Sequence, residues 1–309
     1  MGTIVASTTV VAPSRTRRPR RGLWRAILHN RKAMIGAALL VLFCLLAAFP
    51  HLFVPWLHGD PRDIGDLPLQ HPSGKHWLGT TGLGQDVYAE LVYSTRESLL
   101  IAVIAGLGAT ILSVVIGVSA AYLGGAADDV LSMFTDVFLV LPTFPLIIVL
   151  ATYAGKGNLT VIIIVLIATG WSYGARQMRA QALSLRNRDF LESARVRGER
   201  SSYIILVEVL PTMTSLIVAN FLGAALYSVL TAAGLQFLGL GDPSSLSWGT
   251  MLYWAQNQGA LVNGLPAWAL SPGLAVALLG VSFALLNYAF DEISNPALRP
   301  VRRRRARSH

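Results

Sequence analysis

Apolar residues along this chain fall into long runs, not into the short alternations of strands or the one-sided stripes of surface helices. Six runs approach or exceed the roughly 20 residues needed to cross a bilayer: about 33–54, 97–123, 129–154, 158–175, 204–238 and 268–290. The pattern predicts an all-α polytopic membrane protein with six transmembrane helices. The fifth run is too long for one straight span and predicts a bent or re-entrant end. The first run follows several arginines, as a secretory signal would. Its basic region is too long for one, however, and no A-x-A-like site follows, so a retained first span is expected. There is no internal repeat, and no low-complexity tract beyond the arginine clusters.

Composition agrees. Of 309 residues, 53% are hydrophobic and 13% charged, and the mean hydropathy is +0.54. Soluble domains carry nearer a quarter of charged residues. The single cysteine, Cys44, excludes a disulfide framework or a thiolate metal site and is expected to pack in its apolar run.

The net charge of +9 changes the picture through its placement. Eight of the 25 Lys and Arg precede the first run (Arg15 to Lys32), seven lie at 176–200, and six close the chain from Arg299. Only Arg62, Lys75, Arg96 and Lys156 lie elsewhere. The positive-inside rule then predicts that both termini and the 176–203 loop are cytoplasmic. The segments 55–95, 155–157 and 239–267 would face outward, and the 124–128 turn inward despite Asp128. Residues 1–22 and 301–309 read as basic tails that meet anionic lipid, the first of them unstructured. No nucleic-acid site is indicated. The domain between them is expected to span 23–300.

One charged stretch interrupts this scheme: RNRDFLESARVRGERSS, Arg186 to Ser202. Asn187 suits an N-cap and Asp189 the first turn. Phe190, Leu191 and Ala194 share one face, and Arg188 is spaced to pair with Glu192. Gly198 fits the left-handed residue that stops a helix. A helix of about three turns over 187–198 is predicted, lying along the cytoplasmic surface. The residues alone leave two readings open, a helix resting in the headgroups and a docking element for a cytoplasmic partner.

The spacing of Glu192-Ser193-Ala194, Gly198 and Leu210-Pro211 resembles the "EAA…G…LP" loop of ABC-importer permeases. Four further stretches resemble the dipeptide, oligopeptide and nickel class, in matching order over roughly 23–300. They are HWLGTTGLGQDVYAELVYSTRESLLIA (His76–Ala102), FTDVFLVLPTFPLIIVL (Phe134–Leu150), LQFLGLGDPSSLSWGTML (Leu235–Leu252) and WALSPGLAVALLGVSFALLNYAFDEISNPALR (Trp268–Arg299). Ser193 replaces a usual Ala, Gln85 a usual Arg and Gln236 a common Ser, and the closing acidic motif is partly kept. The resemblance is closest to the C-type permease subunit and implies the type I importer fold. It makes 187–198 a coupling helix seated in an ATPase cleft, with Asn187, Arg188, Phe190, Glu192, Ser193, Ala194, Arg195 and Gly198 as coupling residues. It further implies a second permease subunit as heterodimer partner, two ATPase domains that hold ATP and Mg, and an external substrate-binding protein. Peptide, nickel chelate, glutathione or haem would all fit as cargo.

Other residues carry two readings each. Asp136 and Glu208 lie near cytoplasmic ends of their runs, where pairing or snorkelling competes with a proton relay. Pro142 and Pro145 are expected to kink the third span and Pro211 to mark the start of the fifth, as hinge or as shape. Gly239 and Gly241 are gating or packing candidates. Gly106, Gly117, Gly124, Gly125, Gly223, Ala224 and Ala225 would permit close helix contact. His58, His71 and His76 fit no zinc spacing. Trp248, Trp254 and Trp268 read as an aromatic belt. No nucleophile elbow, P-loop or HExxH appears, so this chain is not expected to be an enzyme or to hold a cofactor. A secondary transporter would usually show discontinuous spans in an inverted repeat. A membrane scaffold would not require this ordered set of motifs.

Overall fold

The computed structural model describes residues 30–54, 60–153, 157–186 and 188–294. Among them the architecture is helical, and the only bridge is an isolated one between Thr80 and Asp86. The principal helices are α1 (Arg31–Ala48), α2 (Val87–Leu123), α3 (Gly125–Val140), α4 (Thr143–Tyr153), α5 (Leu159–Gly170), α6 (Ser172–Arg186), α7 (Asp189–Val196), α8 (Thr214–Phe237), α9 (Trp248–Asn257) and α10 (Pro266–Ser294). Four helices are long and apolar enough to cross a membrane, or up to six spans if each bent pair counts as one.

Capping explains where several of these begin. The Asn30 side chain accepts from Lys32 N–H, and the Asp86 carboxylate accepts from Ala89 N–H at 2.8 Å. Starting at Val87, α2 reaches 37 residues, ten more than the apolar run predicts at that end. At 1.5 Å per residue it is about 55 Å long, well beyond a hydrocarbon core of about 30 Å. Its first turns therefore belong to the polar cap built by 60–86.

The third run is broken by 90° between α3 and α4. Leu141 is extended (φ −62°, ψ 137°), as the residue before Pro142 must be. Pro145, expected to kink as well, sits harmlessly in the first turn of α4, where no N–H is required. The fourth run bends by 41° between α5 and α6, and α6 continues to Arg186, so much of the predicted 176–203 loop is helix. In the fifth run, where a bent or re-entrant end is expected, the helix is irregular at its start and broken at Met213. Residues 204–209 are π-helical, Leu210 N–H reaching Ile205 O, before α8 starts after Met213. Pro211 offers no N–H, and the turns before it widen.

Two small-residue contacts set the packing. Gly106 lies on Ala225, where an added Cβ would come within 2.8 Å of the backbone, and Gly117 lies on the Ala175–Met178 turn. These bring α2 against α8 and α6. Gly36 O accepts from Ser282 Oγ at 2.9 Å and joins α1 to α10. Gly223 and Ala224 face a cavity instead, and Gly124 and Gly125 form the α2–α3 turn.

Two expectations fail. Cys44 is exposed on the outer side of α1, because the packed face of that helix is taken by Ala33, Gly36 and Phe43. Trp248 and Trp268 are 1% exposed and fill the core, with Phe43 edge-on to Trp248 at 5.5 Å. Their predicted belt role ignored the cap above them; only Trp254 is partly open, and its Nε1 donates to Pro243 O.

Candidate functional site

The predicted surface helix exists as α7, shorter than expected. Its N-cap is Arg188, without a side-chain cap bond, and Asn187, the predicted cap, lies outside the described residues. Arg188 is extended (φ −83°, ψ 141°). It leaves the helical register for that reason, and the described ion pairs do not include Arg188–Glu192. The other end is as predicted. Gly198 has φ +76°, Gly198 N–H reaches Arg195 O at 2.9 Å, and Glu199 N–H reaches Ala194 O at 3.3 Å. This is the full Schellman pattern, and it satisfies two otherwise orphaned carbonyls. Gly239 ends α8 by the same pair of bonds, Gly239 N–H to Gln236 O and Leu240 N–H to Leu235 O.

Two side chains hold α7 in place. Leu191 is 1% and Ala194 0% exposed, packed among Met178, Leu185, Ile204 and Met213. Phe190, predicted to share that face, is 40% exposed and looks away. The outer surface therefore presents Phe190, Glu192, Ser193, Arg195 and an 84% exposed Val196. Ser193 Oγ bonds Asp189 O at 2.8 Å, and the Arg195 guanidinium lies 5.8 Å from the Tyr122 ring centroid. No atom stands within 4 Å of a Cβ built on Gly198, so the space there is open. Val196 is the member of this surface that sequence reasoning missed; its signal was an apolar residue between two arginines.

Two ion pairs join α3 to α6, the helix whose Met178 and Leu185 help bury Leu191. Arg179 binds Asp128 through two bonds, Nε to Oδ1 at 2.6 Å and Nη2 to Oδ2 at 2.8 Å. Arg176 binds Asp136 at 2.5 Å. The pairing reading of Asp136 is therefore the one realised. Glu208 lies on the π-helical segment, half-buried, and takes part in none of the described ion pairs.

A cavity of about 490 Å³ opens between α3, α6, α8 and α10. Tyr173, Gln177, Asn220, Tyr227 and Asn287 are the larger polar side chains of its lining, which includes no charged side chain. Two Asn residues inside otherwise apolar runs were the readable signal. On the other side of the molecule the 235–252 signature folds onto α2. Gln236 Nε2 reaches Glu97 Oε1 at 3.4 Å, Gly241 and Gly249 lie flat on the Gln236 side chain, and Ser98 Oγ accepts from Trp248 N–H at 3.1 Å. His76 is buried in the cap between Asp86 (Nδ1 to Oδ2, 2.7 Å) and Asp66 (Nε2 to Oδ2, 3.4 Å). Lys75 donates to Asp66 and holds its carboxyl below the usual range. His71 is exposed, and His58 lies outside the described residues.

Comparison with known proteins identifies the family. Residues 113–299 match the family profile described as binding-protein-dependent transport system inner membrane component. The chain belongs to this family. Residues 19–72 match the N-terminal transmembrane domain of oligopeptide transport permease C. Among curated relatives, the oligopeptide transport system permease protein OppC of Mycobacterium tuberculosis H37Rv is 34% identical over 282 residues, covering 90% of this chain and 95% of the relative. The glutathione transport system permease protein GsiD of Pectobacterium atrosepticum is 30% identical over 297 residues, covering 96% and 97%. The protein is thus an inner-membrane permease component of an ABC importer, and the motifs found at 192–211 and 235–252 are placed by its fold on two separate surfaces.

Proposed function

We propose that this permease carries peptides, that it forms half of the translocation pathway with a second permease subunit, and that α7 is its coupling element. ATP and Mg would be held by two ATPase domains on other chains, and an external substrate-binding protein would deliver the cargo. Both termini and α7 would be cytoplasmic, and the 60–86 cap external, which agrees with the arginine distribution. When the ATPases close on ATP, their clefts would move α7, and the buried Leu191 and Ala194 would pass that motion to α2 and α6.

The observation that carries the coupling reading is the division of α7 itself. One face is locked into the body, while a charged and partly apolar face is left open beside an unobstructed Gly198. A helix that only rested in the headgroups would not need Leu191 and Ala194 locked into the body of the protein. The peptide reading rests on the relatives' names and on the uncharged cavity, whose amides and phenols suit a peptide backbone whatever its side chains. The glutathione relative favours short peptide-like cargo as the second reading. The deciding experiment is site-directed crosslinking from Ser193→Cys to the ATPase in the assembled complex. A crosslink whose yield changes with nucleotide is expected. Its absence, with the complex intact, would return α7 to the lipid surface.

A further inference from the structure

The π-helical segment 204–209 packs against α7 and carries a spacing that an α-helix could not use. Ile204 and Val209 are 1% and 2% exposed, and both belong to the cluster that buries Leu191 and Ala194. They are five residues apart. The bond from Leu210 N–H to Ile205 O has the same step, so the wide turn sets residues five apart on one side. In an α-helix each residue turns about 100°, and the fifth ends about 140° away from the first. The residue that would then stack on Ile204 is the fourth along, Glu208.

The segment therefore has two registers with opposite consequences. In the observed one Val209 faces the seat of α7, while Glu208 is half-buried and belongs to none of the described ion pairs. In the α register Glu208 would replace Val209 beneath Leu191, which sets a carboxylate among Met178, Leu185 and Met213 at the cost of its hydration. A seated α7 thus favours the wide turn, and an α7 drawn outward removes that preference. The α form is then the ordinary one, since π-helices are rare. Pro211 alone does not explain the pattern. It lacks an N–H in either register, and a break at proline requires no five-residue spacing of buried side chains.

We infer that residues 204–209 are a two-register switch, held in the π form by a seated α7 and free to wind to α when α7 is displaced. One register step is about 100° of rotation. It would turn the chain that enters α8, whose Leu216, Asn220 and Tyr227 line the uncharged cavity. The inference rests on the coupling reading of α7 and adds a route from α7 to α8.

The test uses the assembled transporter in lipid nanodiscs, with Cys44→Ser and Val209→Cys in this chain and N-ethylmaleimide as the probe. Without nucleotide the thiol at 209 should be protected. With a non-hydrolysable ATP analogue its labelling rate should rise by about tenfold, as when a form held by about a tenth of the molecules becomes the major one. Labelling of Glu208→Cys should change in the opposite direction. An unchanged rate at 209, or a change of the same sign at both positions, would overturn the inference. Deleting Leu206, which is 63% exposed, supplies a second arm. The five-residue step becomes four, so Ile204 and Val209 both stay on the seat in an α-helix. That variant should insert, keep the Ser193→Cys crosslink to the ATPase and hydrolyse ATP, yet lose transport. Unchanged transport overturns the inference; should the variant fail to insert, labelling at 209 decides alone. A nucleotide-sensitive Ser193→Cys crosslink with unchanged labelling would defeat the switch and spare the coupling reading. Absence of that crosslink would defeat both.

Discussion

Asp128 and Arg179 are 51 residues apart in sequence and joined by two hydrogen bonds of 2.6 and 2.8 Å, which tie the start of α3 to the middle of α6. Ser132 Oγ adds a third bond to the same carboxylate. Bidentate geometry is what makes an ion pair worth more than a loose surface contact. Asp128→Asn should lower thermal stability by about 1–3 kcal/mol, the worth of a hydrogen bond to a charged group. The reversed pair, Asp128→Arg with Arg179→Asp, should recover part of it. Thermal unfolding in detergent reads both; stability of both variants equal to that of the unaltered chain would show that the pair contributes nothing.

The two faces of α7 should fail differently. Leu191→Ala removes a buried side chain and should cost about 2–5 kcal/mol, seen as loss of folded protein. Glu192→Lys and Gly198→Arg leave the buried face intact. Gly198→Arg also meets a positive φ, at about 1 kcal/mol or more. Both should insert and pair with the sister permease yet lose ATPase association and substrate-stimulated hydrolysis. Normal transport in both would sink the coupling assignment.

Topology can be read by cysteine labelling once Cys44 is replaced by Ser. Pro72→Cys in the cap should label from outside intact cells, and Arg197→Cys beside α7 only after permeabilisation. The opposite pattern would invert the protein and remove α7 from the ATPase.

The cap should loosen in acid. Lys75 holds the Asp66 carboxyl below its ordinary range. A group whose folded pKa is depressed contributes stability above its unfolded pKa and loses it as pH falls through the folded value. Hydrogen exchange in 60–86 should therefore rise as pH drops below the ordinary carboxylate range. In Lys75→Met the exchange at neutral pH should already be raised and the acid step reduced. Because Asp66 and Lys75 are both substantially exposed, the effect will be small and salt-sensitive. An acid step of the same size in Lys75→Met would assign it elsewhere.

Much of this protein follows from local rules. Run length fixes which segments can cross a bilayer, whatever they pack against, so the six apolar runs reappear as helices or bent helix pairs. Proline removes an N–H wherever it stands, so Pro142 and Pro211 mark breaks. Gly198 ends α7 because only the left-handed backbone closes both of its terminal bonds. Other features depend on what lies opposite. Phe190 and Leu191 are neighbours of equal hydrophobicity, and only the position of Met178 and Ile204 decides that Leu191 is buried and Phe190 is not. Trp248 resembles a belt residue until the cap covers it. Cys44 looks buried until α10 takes the other side of α1. That Glu90, Gln258 and Trp268 line one cavity is invisible along the chain, since 178 residues separate the first from the last. Periodicity and turn chemistry act over a few residues and are written in order; burial and convergence are set by distant elements, and these the folded chain alone decides.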